Sequence, residues 1–202
     1  MTAMTLPQRL TARARQVPEW CVYIVGALPA PWLFYQGLTG GLGVEPIEAL
    51  EHEYGRLALQ LLLAGLAVTP LWRITGVNLV KFRRALGLLA FFYLCLHLLV
   101  WLVLDVQILS QAWADIVKRP FVTLGMAGFL LLVPLAVTST RGWIRRMGPK
   151  AWGRLHRLVY VAAGLGALHF IMGRKGLQYE PLIYAAILLV LLAARLLPRR
   201  AR

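Results

Sequence analysis

Three histidines, His97, His156 and His169, lie within long apolar stretches of this chain. An ionisable side chain at membrane depth is costly and by default marks a functional site. Neutral imidazole is also the commonest protein ligand for metals. The alternative to metal binding, for each histidine taken singly, is a structural role in which the side chain only forms a hydrogen bond to a neighbouring helix. The fourth histidine, His52, stands between two glutamates, and we expect it to be exposed and solvated.

The composition of the chain says what surrounds these histidines. Of the 202 residues, 59% are hydrophobic and only 15% are charged, with a mean hydropathy of +0.67. An ordinary soluble domain has roughly 45–50% apolar and about 25% charged residues. The excess of apolar residues must therefore face lipid, which excludes a soluble domain and a disordered chain. The sequence predicts an integral membrane protein.

Long apolar runs divide the chain into six predicted membrane-spanning helices, because about 20 apolar residues are needed for each crossing. We expect an all-α bundle with one transmembrane domain over residues 20–197, a cytoplasmic segment over 1–19 and a cytoplasmic tail over 198–202. The predicted spans are 20–38, 55–72, 85–107, 121–138, 154–172 and 181–197.

The cations indicate how this bundle is oriented. Fifteen lysines and arginines fall in the N-terminal segment, the loops 73–84 and 139–151 and the C-terminal segment, against four in the opposite loops. Cytoplasmic loops carry the excess of cations in membrane proteins. We therefore predict that both termini are cytoplasmic. The net charge of +14 is accounted for in this way, and no nucleic-acid partner is expected.

The depths of two histidines suggest shared chemistry. His97 lies 13 residues after Arg84 and His169 lies 12 residues after Arg157, on helices that run in the same direction. The two imidazoles are thus expected to be level, where they can supply both axial bonds of a haem iron. Zinc is disfavoured, because a closed zinc site needs four ligands and no Cys, Asp or Glu shares this depth.

His156 lies about 20 Å closer to the cytoplasmic face than His169, which suits a second, inner haem. Thirteen helical steps leave these two side chains about 140° apart around the axis, so we expect a bulge or bend at Gly164 and Gly166. No histidine occupies the matching position on the third span. Four arginines near this inner position could pair with haem propionates: Arg83, Arg84, Arg154 and Arg157. The alternative is that they belong only to the general excess of cations on the cytoplasmic side.

Motifs for other cofactors do not occur in the sequence. There is no glycine-rich turn for a nicotinamide nucleotide or FAD, no phosphate-binding loop and no nucleophile elbow. The two cysteines, Cys21 and Cys95, lie singly in apolar segments. Electrons for a redox function must therefore enter from a partner protein or from a lipid-soluble carrier.

Several ordered stretches resemble the ferric reductase-like transmembrane domain family, and most closely its haem-binding subunits of bacterial periplasmic methionine sulfoxide reductase systems. The resemblance runs from about residue 20 to 195. The matching stretches are Val68-Thr69-Pro70-Leu71, Arg83-Arg84-Ala85-Leu86-Gly87-Leu88 leading to Leu96-His97, Lys118-Arg119-Pro120-Phe121, Ala136-Val137-Thr138-Ser139, and Leu155-His156-Arg157-Leu158-Val159-Tyr160 leading to His169.

This resemblance implies that His97, His156 and His169 are haem ligands in a bacterial inner-membrane protein. It implies a separate, periplasmic, molybdenum-containing methionine sulfoxide reductase as electron acceptor. The implied donor is the quinone pool or a cytosolic flavin reductase, and FMN is a candidate additional cofactor with no residues assigned to it. The chain departs from the wider NADPH oxidase and ferric reductase pattern in lacking a fourth histidine and a cytosolic flavin and nucleotide domain.

Two other functions remain open at this point. A stand-alone, quinol-linked ferric reductase would need an outer site for iron chelates, and the acidic segment Glu45–Glu53 offers one. A transporter or assembly factor with hydrogen-bonded histidines belongs to a different class, and an absorption spectrum would distinguish it.

Overall fold

The computed structural model describes residues 4–174, 176 and 178–196, and over these ranges the predicted all-α fold is confirmed. The tail 198–202 lies outside the described residues. Within these residues, ten α-helices follow one another: α1 (Leu6–Gln16), α2 (Glu19–Ala27), α3 (Pro29–Leu38), α4 (Pro46–Thr75), α5 (Arg83–Leu99), α6 (Leu109–Lys118), α7 (Pro120–Val137), α8 (Arg141–Leu155), α9 (Leu158–Gly173) and α10 (Tyr179–Ala193). A 3₁₀ turn, Val80–Phe82, precedes α5, and a π-helical segment, Val100–Val106, continues it.

Four helical stretches within the described residues are long and apolar enough to cross a membrane: Glu19–Leu38, Pro46–Thr75, Val80–Val106 and Pro120–Val137. The pair α8 and α9, bent by 42°, makes a fifth if it counts as one crossing. Helix α10 is apolar but has only 15 residues. The chain is thus a multi-pass membrane protein, and the count of six spans stays a prediction.

Helix α4 is much longer than the predicted span 55–72. Pro46 opens it, since its fixed φ suits the first helical turn, and Gly76 ends it in the left-handed conformation, at φ 80°. Its first two turns are polar, so the apolar run does not reveal them. The acidic segment around His52, expected to be a loop, is therefore helical.

Two further helices lie outside the predicted spans. The N-terminal segment contains α1, and the connection 108–120 contains α6, whose Ala112 is buried. Leu109, Trp113 and Val117 stay exposed along one face of α6. Both helices are too short and too polar to appear as membrane spans in the sequence.

The core lies among α4, α5, α7, α9 and α10. Helix α4 packs most extensively against α5, and α7 packs most extensively against α9. Small residues such as Ala90, Ala162 and Ala163 are fully or nearly fully buried and let these helices approach closely. Tyr93, completely buried, donates a hydrogen bond to the Gly26 carbonyl (2.7 Å), which ties α2 to α5. The result is two close helix pairs, α4 with α5 and α7 with α9, around a shared interior.

Candidate functional site

His97 on α5 and His169 on α9 face each other inside the bundle. Their ring centroids are 6.0 Å apart and their planes are inclined by 80°. Both residues lie near the C-terminal ends of their helices, next to the start of α7. The predicted level position of the two imidazoles is confirmed, and their role as ligands stays a prediction.

Each imidazole is held by a backbone carbonyl of the neighbouring helix. The distance from His97 Nδ1 to the Glu51 carbonyl oxygen is 2.9 Å, and that from His169 Nδ1 to the Phe121 carbonyl oxygen is 2.7 Å. Because a carbonyl oxygen only accepts, the proton must sit on Nδ1 in both rings. Nε2 is therefore the nitrogen left available to a ligand. This arrangement is the usual one for metal-binding histidines, which donate the other ring N–H to a fixed acceptor.

A cavity of about 350 Å³ surrounds the two rings, between α4, α5, α7 and α9. His97 and His169 line it together with aliphatic and aromatic side chains such as Leu94 and Phe129. Much of the wall consists of residues with little or no side chain, which leaves an apolar space for a large flat group. These small residues are Gly55, Ala58, Ala90, Gly125, Gly128, Ala162 and Gly166.

The separation of the two rings suits a metal-centred cofactor such as haem, which His97 and His169 would hold together. Metal–imidazole bonds are about 2.0–2.1 Å long, so two rings that held one metal between them would have centroids about 6 Å apart. The observed separation of 6.0 Å between His97 and His169 agrees with this value. Within the described part of the chain, no group of three or more His, Cys, Asp and Glu side chains is placed to hold a metal ion. The site combines one facing pair of imidazoles with a largely apolar interior.

The mouth of the cavity is polar and contains residues that the sequence did not single out. The π-helical segment continues α5 from Val100 and places Trp101 and Asp105 on the cavity. Such π-turns occur frequently at functional sites. Arg119 lines the mouth and pairs with Asp115 at 3.2 Å.

The expectation that His52 is simply solvated was wrong. Its side chain is partly buried, with 35% relative exposure, and it lines the same cavity as His97. The reason is that α4 begins at Pro46, so His52 lies on the inward face of a helix. Its ring lies 4.0 Å from Glu48.

His156 occupies the other end of the bundle and does not line the cavity of His97 and His169. Its ring stacks on Trp152, with centroids 3.8 Å apart, and Nδ1 lies 3.1 Å from the Trp152 carbonyl oxygen. Nε2 is buried with no hydrogen-bond partner among the described residues. An unsatisfied buried nitrogen of this kind calls for an explanation, and a metal or ligand is one.

The bend expected at Gly164 and Gly166 lies elsewhere. Helix α9 continues through both glycines, and the chain bends by 42° at the junction of α8 and α9, where His156 stands. Trp152 Nε1 donates to the Thr138 carbonyl (2.9 Å), which anchors the end of α8 to the end of α7. The changed helix direction, rather than a bulge, sets the orientation of His156.

The four arginines assigned to propionates all lie at the end of the bundle that holds His156. Arg83 is partly buried within electrostatic range of His156, whereas Arg84, Arg154 and Arg157 are exposed. None of the four lines the cavity of His97 and His169, whose arginines are Arg56 and Arg119. Sequence reasoning missed these two because each reads as an ordinary charge at a span end.

The fold and the paired histidines define a helical membrane protein built around a cofactor-sized cavity, and the comparisons specify the class. Residues 54–167 match the family described as ferric reductase like transmembrane component. The chain is 47% identical over 195 residues to a protein of Agrobacterium fabrum, covering 96% of this chain and 90% of that protein. A Brucella anthropi protein is 46% identical over 196 residues, covering 96% and 89%, and a Brucella ovis protein 47% over 190 residues, covering 94% and 86%.

All three relatives are named protein-methionine-sulfoxide reductase heme-binding subunit MsrQ. The chain therefore belongs to the MsrQ family of ferric reductase-like transmembrane proteins. No solved structure matches it significantly.

Proposed function

We propose that this chain is the haem-binding, electron-transferring membrane subunit of a periplasmic methionine sulfoxide reductase system that repairs oxidised proteins. The observation that carries the proposal is the facing pair His97 and His169, 6.0 Å apart in an apolar cavity. The names of the relatives support both the haem and the kind of partner.

In this proposal, His97 and His169 hold a non-covalently bound, b-type haem through their Nε2 atoms. The bound haem supplies a one-electron carrier within the membrane. The carbonyls of Glu51 and Phe121 fix the tautomer and the direction of each imidazole. The small side chains of α4, α7 and α9 leave the space that the macrocycle requires.

His156 and the arginines near it form the proposed inner site, which would hold a second haem. The buried, unpartnered Nε2 of His156 supports this assignment. Arg83, Arg84, Arg154 and Arg157 supply positive charge on the same end of the bundle, where guanidinium groups match carboxylates. The sixth ligand of this inner site has no assigned residue, and the number of haems is therefore one or two.

The direction of electron flow follows from where the two sites lie. Donors on the cytoplasmic side are the quinone pool or a cytosolic flavin reductase, and the acceptor is a molybdenum-containing reductase on the periplasmic side. The cavity of His97 and His169 opens toward the acidic end of the bundle, which holds Glu48 and Asp105. This end is the proposed exit. FMN as an additional cofactor rests on the family resemblance alone.

The proposed location is the bacterial inner membrane, with both termini in the cytoplasm. A reporter fused after residue 202 is expected to behave as cytoplasmic, because the cation-rich loops flank this end of the bundle. A reporter that is active only in the periplasm serves as the complementary fusion. Activity of the periplasmic reporter at this position would contradict the orientation and reverse the direction of electron flow.

An absorption spectrum of the purified protein tests the redox function. Reduction by dithionite is expected to produce the sharp bands of a b-type haem. Protein that is folded and free of haem after expression with ample haem supply would favour a transporter or assembly factor. A stand-alone ferric reductase gives the same spectrum and is separated by its electron acceptor.

A further inference from the structure

Two glycines on neighbouring helices each lie directly against the ring of one of the paired histidines. Gly55 on α4 faces His97, and Gly125 on α7 faces His169. We propose that Gly55 and Gly125 are positioning residues: each forms, with the carbonyl four residues before it, a seat that sets the direction of one haem-ligating imidazole. This inference rests on the proposed role of His97 and His169 as haem ligands.

The seat consists of a carbonyl and a gap in the helix surface. The acceptors of the Nδ1–H groups are the carbonyls of Glu51 and Phe121, and in α-helical register these same carbonyls accept the backbone N–H groups of Gly55 and Gly125. An imidazole can reach a carbonyl that already accepts a hydrogen bond within a helix only where no side chain covers that carbonyl. Glycine supplies that opening.

The distances show how little room remains. A Cβ atom at Gly125 would lie 2.8 Å from His169 Nδ1 and 2.9 Å from its Cε1. A Cβ atom at Gly55 would lie 3.0 Å from His97 Nδ1 and 3.2 Å from its Cε1. At 2.8 Å the contact is closer than Cβ atoms come to other atoms in proteins, and at 3.0 Å the ring must give way by a few tenths of an ångström. An alanine at either position therefore pushes the ring away from its helix. The overlap is larger at Gly125 than at Gly55.

Displacement of the ring changes both its hydrogen bond through Nδ1 and the position of its Nε2. The Nδ1–H to carbonyl hydrogen bond lengthens, and Nε2 moves from the position at which it would hold the haem. Because the hydrogen bond from Nδ1 raises the basicity of Nε2, weakening it stabilises ferric haem less. Second-sphere partners of this type typically change metal affinity by about 10–100-fold.

The chain contains matched control glycines on the helices that carry the histidines. Gly87 on α5 and Gly164 on α9 have no atom within 4 Å of an added Cβ. Alanine at these positions changes a glycine in the same helix as His97 or His169 without touching either ring. Both substitutions raise helix propensity by the same amount as those at the seats.

The experiment compares Gly55→Ala, Gly125→Ala, Gly87→Ala and Gly164→Ala, each purified as the full chain and titrated with haem b. Haem affinity, midpoint potential and the electron paramagnetic resonance spectrum of the ferric state are measured. We expect Gly125→Ala to bind haem about 10–100-fold more weakly, with a more positive potential and altered g values. Gly55→Ala changes each quantity in the same direction by less, and both controls match the parent.

Seat variants that match Gly87→Ala and Gly164→Ala in affinity, potential and g values would overturn the inference. If Gly125→Ala is not recovered as folded protein, Gly55→Ala carries the test, since its overlap is smaller. These measurements use haem alone, so they are independent of the reductase partner. A failure of electron delivery to that partner would leave the seats intact, whereas a parent protein that binds no haem would overturn both proposals.

Discussion

His97→Ala and His169→Ala are each expected to remove most of the haem absorbance from the purified protein. In the proposed site, either change would remove one of the two imidazoles that hold the haem. It also removes the Nδ1–H donor from the Glu51 or the Phe121 carbonyl, which then keeps only its hydrogen bond from the helix backbone. The measurement is the reduced-minus-oxidised spectrum, with the haem to protein ratio determined as the pyridine complex.

The controls for this result are alanine substitutions at exposed leucines on the same two helices. Leu99 on α5 is 54% exposed and Leu168 on α9 is 43% exposed, and neither lines the cavity. Leu99→Ala and Leu168→Ala should keep the full haem complement. Haem ratios that are unchanged in both histidine variants would show that the ligand assignment is wrong.

His156→Ala is expected to separate the two ends of the bundle. The haem held by His97 and His169 should remain, because His156 does not line their cavity. Reduction from the cytoplasmic side should slow by at least an order of magnitude, since the buried Nε2 is the proposed ligand of the inner site. The rate of haem reduction by a quinol, in membranes or proteoliposomes, measures this effect.

Lys150→Ala is the matched control, because Lys150 is exposed on α8, the helix that ends just before His156, and carries no proposed role. A second spectral component that is lost in His156→Ala and kept in Lys150→Ala would identify the inner haem. Reduction that proceeds at the parental rate in His156→Ala would remove His156 from the electron pathway.

The all-α membrane fold and the meeting of His97 with His169 could be predicted because both depend on long-range regularities. Apolar runs must be near membrane length, and residues at equal distance from the cation-rich loops reach equal depth. These constraints need no knowledge of side-chain packing. The same reasoning located His156 at the opposite end of the bundle.

Features that depend on local backbone geometry could not be predicted. The polar first turns of α4 look like a loop, so His52 was placed in solvent instead of on the cavity. The bend that orients His156 is at a junction without glycine or proline, whereas the glycines chosen for it, Gly164 and Gly166, sit in regular helix.

The seats of the histidines were missed for a related reason. Gly55 and Gly125 are two of 18 glycines, and nothing in their neighbours along the chain reveals which ones meet an imidazole. Only the crossing of α4 with α5, and of α7 with α9, brings them to His97 and His169. The one signal in the sequence is that each glycine lies four residues after Glu51 or Phe121, near one end of a predicted span.

The most direct test of electron delivery is a stopped-flow measurement on the reduced protein. The haem is reduced anaerobically and mixed with the oxidised periplasmic methionine sulfoxide reductase or, in a parallel run, with a ferric chelate. We expect the reductase to reoxidise the haem rapidly, at a rate that rises with the concentration of the reductase. Haem that stays reduced with the reductase, yet is rapidly reoxidised by the chelate, would contradict the donor role and identify a ferric reductase.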